Sequence, residues 1–70
     1  MKRTTVSSTN LASVGYDPIS RVLEIAFHSG GVYQYSNVPE SIYQGLLSAS
    51  SKGTYFNSHI KDRYTCHQIS

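Results

Sequence analysis

Cys66 is the only cysteine in this 70-residue chain and it stands beside His67. A thiol next to an imidazole is the first place to look for a nucleophile and its base. The stretch Tyr64-Thr65-Cys66-His67-Gln68-Ile69 reads as a strand, however, and neighbouring strand side chains point to opposite sides, so the pair cannot act together locally. A dyad would need His28 or His59. The carboxylates Asp17, Glu24, Glu40 and Asp62 fall in a turn, a strand, a helix start and a linker, and no two have the spacing of a general acid and base. His59, Cys66 and His67 lack the short paired spacing of a structural zinc site. Gly30-Gly31 precedes a strand rather than a helix and is therefore no phosphate loop. The reading is a non-enzymatic chain, with no catalytic residue, metal ligand or cofactor expected.

Residues suited to binding are easier to find. Tyr33 and Tyr35 are one residue apart on a short strand, so both must project from one face. There they either cover a core or stack bases, the latter worth about 1 to 3 kcal/mol per base. Lys52, Lys61 and Arg63, opposed locally only by Asp62, give the C-terminal third a positive excess interleaved with Tyr55, Phe56, His59 and Tyr64. Such a surface is either an ordinary solvated face or one that meets phosphate, with affinity that falls as salt rises. Ser51 to Gly53 opens a helix whose first amides have no internal acceptor and whose dipole favours an anion. Ser51, Tyr55, Asn57 and His59 complete the set of candidate pocket residues.

These side chains must be positioned by a small number of elements. Thr4-Thr5-Val6 suits a first strand and Ser7-Ser8-Thr9-Asn10 a turn. Leu11 to Tyr16 reads as a second strand, stopped by Asp17-Pro18. Arg21 to His28 alternates, with Leu23, Ile25 and Phe27 on the core face and Val22, Glu24, Ala26 and His28 on the other. Ser29-Gly30-Gly31 can reverse the chain into a return strand, Val32 to Ser36. Val38, Ile42, Leu46 and Leu47 then follow helical spacing, which predicts a helix from about Pro39 to Ser48. Gly45 inside it implies close packing, expected against the sheet. Ser50 or Ser51 can cap a second helix over roughly Gly53 to Ile60, with Phe56 and Ile60 on one face and Tyr55 and His59 on its neighbour. Tyr64 to Ile69 can add a last strand at a sheet edge. The fold class is α+β: a small antiparallel β-meander of three to four strands with one or two C-terminal helices packed on it.

Size and composition bound the rest. Residues 1–70 make one domain without repeats, and a chain this short buries only about 60% of the surface it exposes when unfolded. One cysteine allows no internal disulfide, which suits the cytoplasm. Met1-Lys2-Arg3 is followed by polar residues rather than an apolar signal segment, and no stretch is long enough to span a bilayer, so no membrane partner is expected. A formal charge of +2 permits an acidic partner without requiring one.

The order Tyr33-Gln34-Tyr35, Val38-Pro39, an apolar helix, and then Ser51-Lys52-Gly53-Thr54-Tyr55-Phe56-Asn57 leading to Ile60 resembles the KTSC family, from about Ser7 to Tyr64. That family is a small domain at the C-terminus of some lysyl-tRNA synthetases that also occurs alone in short bacterial proteins. No synthetase catalytic segment is present, so the chain looks like the stand-alone form. Association with a synthetase implies RNA. The expected function is a binding module for RNA or a nucleotide-like ligand. Tyr33 and Tyr35 would hold the base, Lys52, Lys61 and Arg63 the phosphate, and Ser51, Tyr55, Asn57 and His59 would complete the pocket. The alternative is a protein-interaction or self-assembly domain, a homo-oligomer included, that uses the aromatic face and a free sheet edge.

Overall fold

The computed structural model describes all residues, Met1 to Ser70. Five strands form one sheet in sequence order: β1 (Thr4–Thr5), β2 (Leu11–Asp17), β3 (Val22–Phe27), β4 (Val32–Tyr35) and β5 (Cys66–Gln68). Every neighbouring pair is antiparallel. Two helices, α1 (Glu40–Ser48) and α2 (Lys52–His59), lie between β4 and β5 in the chain. The architecture is the expected α+β meander. It has five strands rather than three to four, because the C-terminal segment does return as an edge strand. There Tyr33 is paired with Gln68 and Tyr35 with Cys66.

The turns explain the register. Between β2 and β3 the Asp17 carboxylate accepts the amides of Ile19 at 3.0 Å and Ser20 at 3.5 Å, while the Arg21 amide donates to the Asp17 carbonyl at 2.7 Å. An aspartate before proline organises its own reversal in this way. Between β3 and β4, Gly30 takes φ +114°, where a side chain would be strained. Alternation then decides which face is buried. Leu23 stands opposite Tyr35 and Ile25 opposite Tyr33. Leu23, Ile25 and Tyr35 join Leu11, Val14, Val38, Leu46, Phe56 and Ile60 in the core under the helices. Each such aliphatic or aromatic side chain contributes about 1.5 to 3 kcal/mol when fully buried.

Both helices begin within one residue of expectation. α1 starts after Pro39 without a side-chain cap, whereas Ser51 caps α2 by accepting the Thr54 amide at 3.3 Å. The interior glycine has a different neighbour from the one expected. A Cβ at Gly45 would overlap the Tyr55 hydroxyl and stand 2.7 Å from Tyr55 Cζ. The close approach is therefore between α1 and α2, not between α1 and the sheet. Tyr55 in turn lies against His59, with ring centroids 4.3 Å apart.

No helix covers the second face of the sheet. Instead the N-terminal segment crosses it over Gly15, where a Cβ would lie 2.7 Å from the Lys2 carbonyl oxygen. This arm carries Arg3 to Glu24, which is only 5% exposed although it points away from the core. The carboxylate pairs with the Arg3 guanidinium and accepts from Gln34 Nε2 at 2.9 Å, and Arg3 Nε donates to Ser13 Oγ at 3.1 Å. Foremost the Gln34 hydrogen bond, and then Arg3, hold the Glu24 carboxyl below its ordinary value against the opposing effect of burial. No helix is long and apolar enough to cross a membrane.

Candidate functional site

α2 borders a groove with two unlike ends. At its N-terminal end a cavity of about 620 Å³ is lined only by polar residues and glycine: Ser7 to Asn10 on one wall, Ser50 to Thr54 and Asn57 on the other. The first wall is the loop between β1 and β2. It is fixed by Ser8, whose hydroxyl accepts the Asn10 and Leu11 amides at 3.2 Å each, and by its carbonyl, 3.0 Å from His28 Nε2. The second wall is the capped start of α2. The first two helical amides, of Lys52 and Gly53, have no intrahelical acceptor, and Lys52 supplies the one positive side chain at this end. Its ammonium is turned back to the Ala49 carbonyl at 3.0 Å. Free amides, hydroxyls and a cation are the groups that receive an anion.

The other end is aromatic. A cavity of about 380 Å³ is lined by Phe27, Tyr33, Tyr35 and Phe56 with Ser29, Asn57, Lys61, Asp62 and Cys66. Phe27 meets Tyr33 edge to face at 5.7 Å and Phe56 at 5.4 Å, and Phe56 meets Tyr35 at 5.8 Å. A smaller space of about 300 Å³ shares Thr9, Asn10 and Asn57 with the polar end and Phe27, Ser29, Phe56 and Asn57 with the aromatic end. Asn57 borders all three spaces. The groove therefore follows α2, whose eight residues rise about 12 Å.

The nine candidate residues separate into three groups. Ser51, Lys52 and Asn57 meet at the polar end, and Tyr33, Tyr35, Lys61 and again Asn57 at the aromatic end. Tyr55, His59 and Arg63 line neither end. The first two pair on a different side of α2, and Arg63 Nε donates to the Ser58 carbonyl at 2.9 Å. The two tyrosines also differ. Tyr33 is half-buried, while the Tyr35 ring is 5% exposed and belongs to the core. An open sheet face with two stacking rings is thus replaced by one accessible ring beside a core ring that reaches the groove. Burial foremost, with Cys66 and Tyr33 adding, pushes the Tyr35 phenol up to about 12.

Sequence reasoning missed the wall made by Ser7 to Asn10, which it read as a turn alone. A signal was present: four polar residues between short strands exceed the two that a tight hairpin needs. Phe27, expected on the core face, also forms a side of the groove together with Phe56. No cluster of three metal-ligating side chains occurs.

The comparisons agree with one another. The family model described as the KTSC domain matches residues 7–64. An uncharacterized protein from Stutzerimonas stutzeri is 44% identical over 64 residues, covering 91% of this chain and 90% of its own. A lysine–tRNA ligase from Nostoc punctiforme is 42% identical over 55 residues, which are 79% of this chain and 10% of the ligase. Among solved structures, a KTSC domain protein from Yersinia pestis superposes with a TM-score of 0.97 at 46% identity, covering 99% of this chain and 97% of that one.

Proposed function

The chain belongs to the KTSC domain family, and from that premise and the groove along α2 we propose that it is a non-enzymatic module that binds single-stranded RNA or a nucleotide. The observation that carries this reading is the continuity of a hydroxyl- and amide-lined end with an aromatic end through Asn57. A nucleotide has the same polarity, with an anionic phosphate at one end and a flat base at the other. Ser51, Lys52 and the first amides of α2 receive the phosphate, and Tyr33 with Phe27 holds the base. The relative that is a lysine–tRNA ligase makes RNA the natural polymer to test. The module works in the cytoplasm, where the exposed Cys66 thiol stays reduced.

The test is an NMR titration with a short single-stranded RNA at several salt concentrations. Amides of residues 7–10 and 50–57 and those around Tyr33 should shift. Each phosphate neutralised lowers the slope of log affinity against log salt by about 0.7, so Lys52 and Lys61 together give a slope of about −1.4. Shifts confined to other surfaces, or binding indifferent to salt, overturn the reading. One feature favours the self-assembly alternative: β5 ends the sheet, its outer edge unpaired and its three residues exposed. Light scattering at two concentrations separates the two, since only assembly raises the mass.

A further inference from the structure

The loop that forms one wall of the polar end, Ser7 to Asn10, is entered from a segment with few anchors in the core. Residues 1–5 are all exposed, and β1 holds β2 through two residue pairs only, Thr4 with Val14 and Thr5 with Ser13. So short an edge strand is marginal by itself. Val6 then packs against the core and donates its amide to the Ala12 carbonyl at 3.2 Å. The remaining hold is on the far face of the sheet. There the Arg3 guanidinium pairs with Glu24, Arg3 Nε donates to Ser13 Oγ at 3.1 Å, and the Lys2 carbonyl oxygen lies where a Cβ at Gly15 would stand 2.7 Å from it. Glu24 is 5% exposed, and taking Arg3 away would leave a desolvated carboxylate without its cation, so the pair resists release. Only Thr4, Thr5 and Val6 separate the pinned Arg3 from Ser7.

We propose that Arg3 and Glu24 are positioning residues for the groove: their pair, on the face opposite the helices, holds the Ser7 to Asn10 wall where the polar end can receive a phosphate. The inference rests on the nucleotide-binding reading above and adds to it a coupling between the two faces of the sheet. The later part of the loop is fixed separately, by the Ser8 hydroxyl on the Asn10 and Leu11 amides and by His28 Nε2 against the Ser8 carbonyl. Its entry, through Val6 and Ser7, is the part that the arm controls. The fit against the opposite wall is close, since a Cβ at Gly53 would lie 2.8 Å from Asn10 Nδ2. A loop freed at its entry must be ordered again by the ligand, and that ordering subtracts from affinity. Coupling of this kind is reciprocal: a ligand seated between the walls tightens the arm by the factor by which the arm tightens the ligand.

The experiment follows, in the intact chain, hydrogen exchange of the Val6, Asn10 and Leu11 amides, each hydrogen-bonded in or beside the loop, together with affinity for a short single-stranded RNA. Arg3→Ala and Glu24→Gln change the net charge in opposite directions, so a long-range effect on an anion weakens binding in the first and strengthens it in the second. Positioning weakens it in both, by about fivefold, with loop exchange faster by a similar factor. The double variant should be no weaker than the single ones, because either change breaks the same pair. Gly15→Ala, which forces the Lys2 carbonyl off β2 without altering any charge, should reproduce them. Ile25→Val loosens the helix-covered core and should leave both readings unchanged, which separates local opening of the arm from global unfolding. Saturating RNA should slow exchange of the Arg3 Nε–H by the same factor. Opposite effects of Arg3→Ala and Glu24→Gln on affinity would reduce the pair to ordinary charges and overturn the proposal. Loop exchange unchanged in both would do so too, since Val6 would then fix the entry alone, as would faster exchange at unaltered affinity. The nucleotide reading survives each of these results. If RNA shifts no groove amide of the wild type, that reading fails and the positioning role fails with it.

Discussion

The two faces of the sheet are closed by different physics. On one, Leu23, Ile25 and Tyr35 pack under α1 and α2 with Leu46, Phe56 and Ile60. On the other, a short arm lays Arg3 across Gly15 onto a carboxylate. The first closure is built from many small, non-directional contacts. The second depends on one charge pair and the two hydrogen bonds that orient it. On the helix-covered face the groove opens between the start of α2 and the β1–β2 loop, which approach each other at Gly53 and Asn10. The charged closure leaves no comparable space.

The largest expected effect is on the helix-covered face. Ile25→Ala removes a fully buried side chain and should destabilise by about 2 to 5 kcal/mol. For a chain this size that is a large part of the total. Urea unfolding followed by circular dichroism measures it. A loss below about 1 kcal/mol would mean that this core is loosely packed and that the contrast between the faces is false.

Arg3→Ala comes next, at about 1 to 3 kcal/mol, because it strips the cation from a desolvated carboxylate. Its pH dependence identifies the cause. The folded Glu24 carboxyl lies below its ordinary value of 4.5, so its contribution is complete above that value and disappears as the pH falls toward the folded one. Wild type and Arg3→Ala should therefore converge in acid. A gap that stays constant down to pH 3 would show that the arm acts by covering surface rather than by charge.

How much of this contrast was legible in the sequence follows from how each closure is encoded. The alternation of Leu23, Ile25 and Phe27, the Asp17-Pro18 stop, the Gly30 reversal and the helical spacing of Val38, Ile42 and Leu46 are local patterns, and each led to the observed element. The Arg3–Glu24 pair spans 21 residues and has no pattern, since a basic N-terminus and one strand glutamate are both ordinary alone. Gly45 announced a close contact but not its partner, because the Tyr55 ring comes from another helix. The site was legible in part for the same reason. Ser51, Lys52 and Asn57 are near neighbours in sequence and stayed together. Tyr55 and His59 separated from them because successive helix positions face different directions. Tyr35 was sorted from Tyr33 by α2, through Phe56.

Ser51→Ala probes the groove's polar wall. It removes the side-chain cap of α2 and should cost about 1 kcal/mol, with lost protection from hydrogen exchange confined to the first turn. Ser51→Asp keeps an acceptor for the Thr54 amide and should restore stability. It also places a negative charge where phosphate is expected, so RNA binding should fall although the fold is kept. Recovery of both together would count against the polar end as a phosphate site.

The smallest effect at neutral pH belongs to Tyr35→Phe, and it is the finest test of how the two faces differ. The lost hydroxyl has no protein partner, so stability at pH 7 should change by less than about 1 kcal/mol. Alkaline conditions reveal the residue. The phenol is raised from 10.0 to about 12 in the folded chain, so its contribution is complete below pH 10 and is lost as the pH climbs through 12. Other tyrosines and the lysines titrate in that range too, which makes the difference between wild type and Tyr35→Phe the quantity to follow. Wild type should lose stability faster than the variant between pH 10 and 12. Parallel curves would mean that the Tyr35 oxygen is as well solvated in the folded chain as in the unfolded one, and the aromatic end of the groove would then be a shallow open surface rather than an extension of the core.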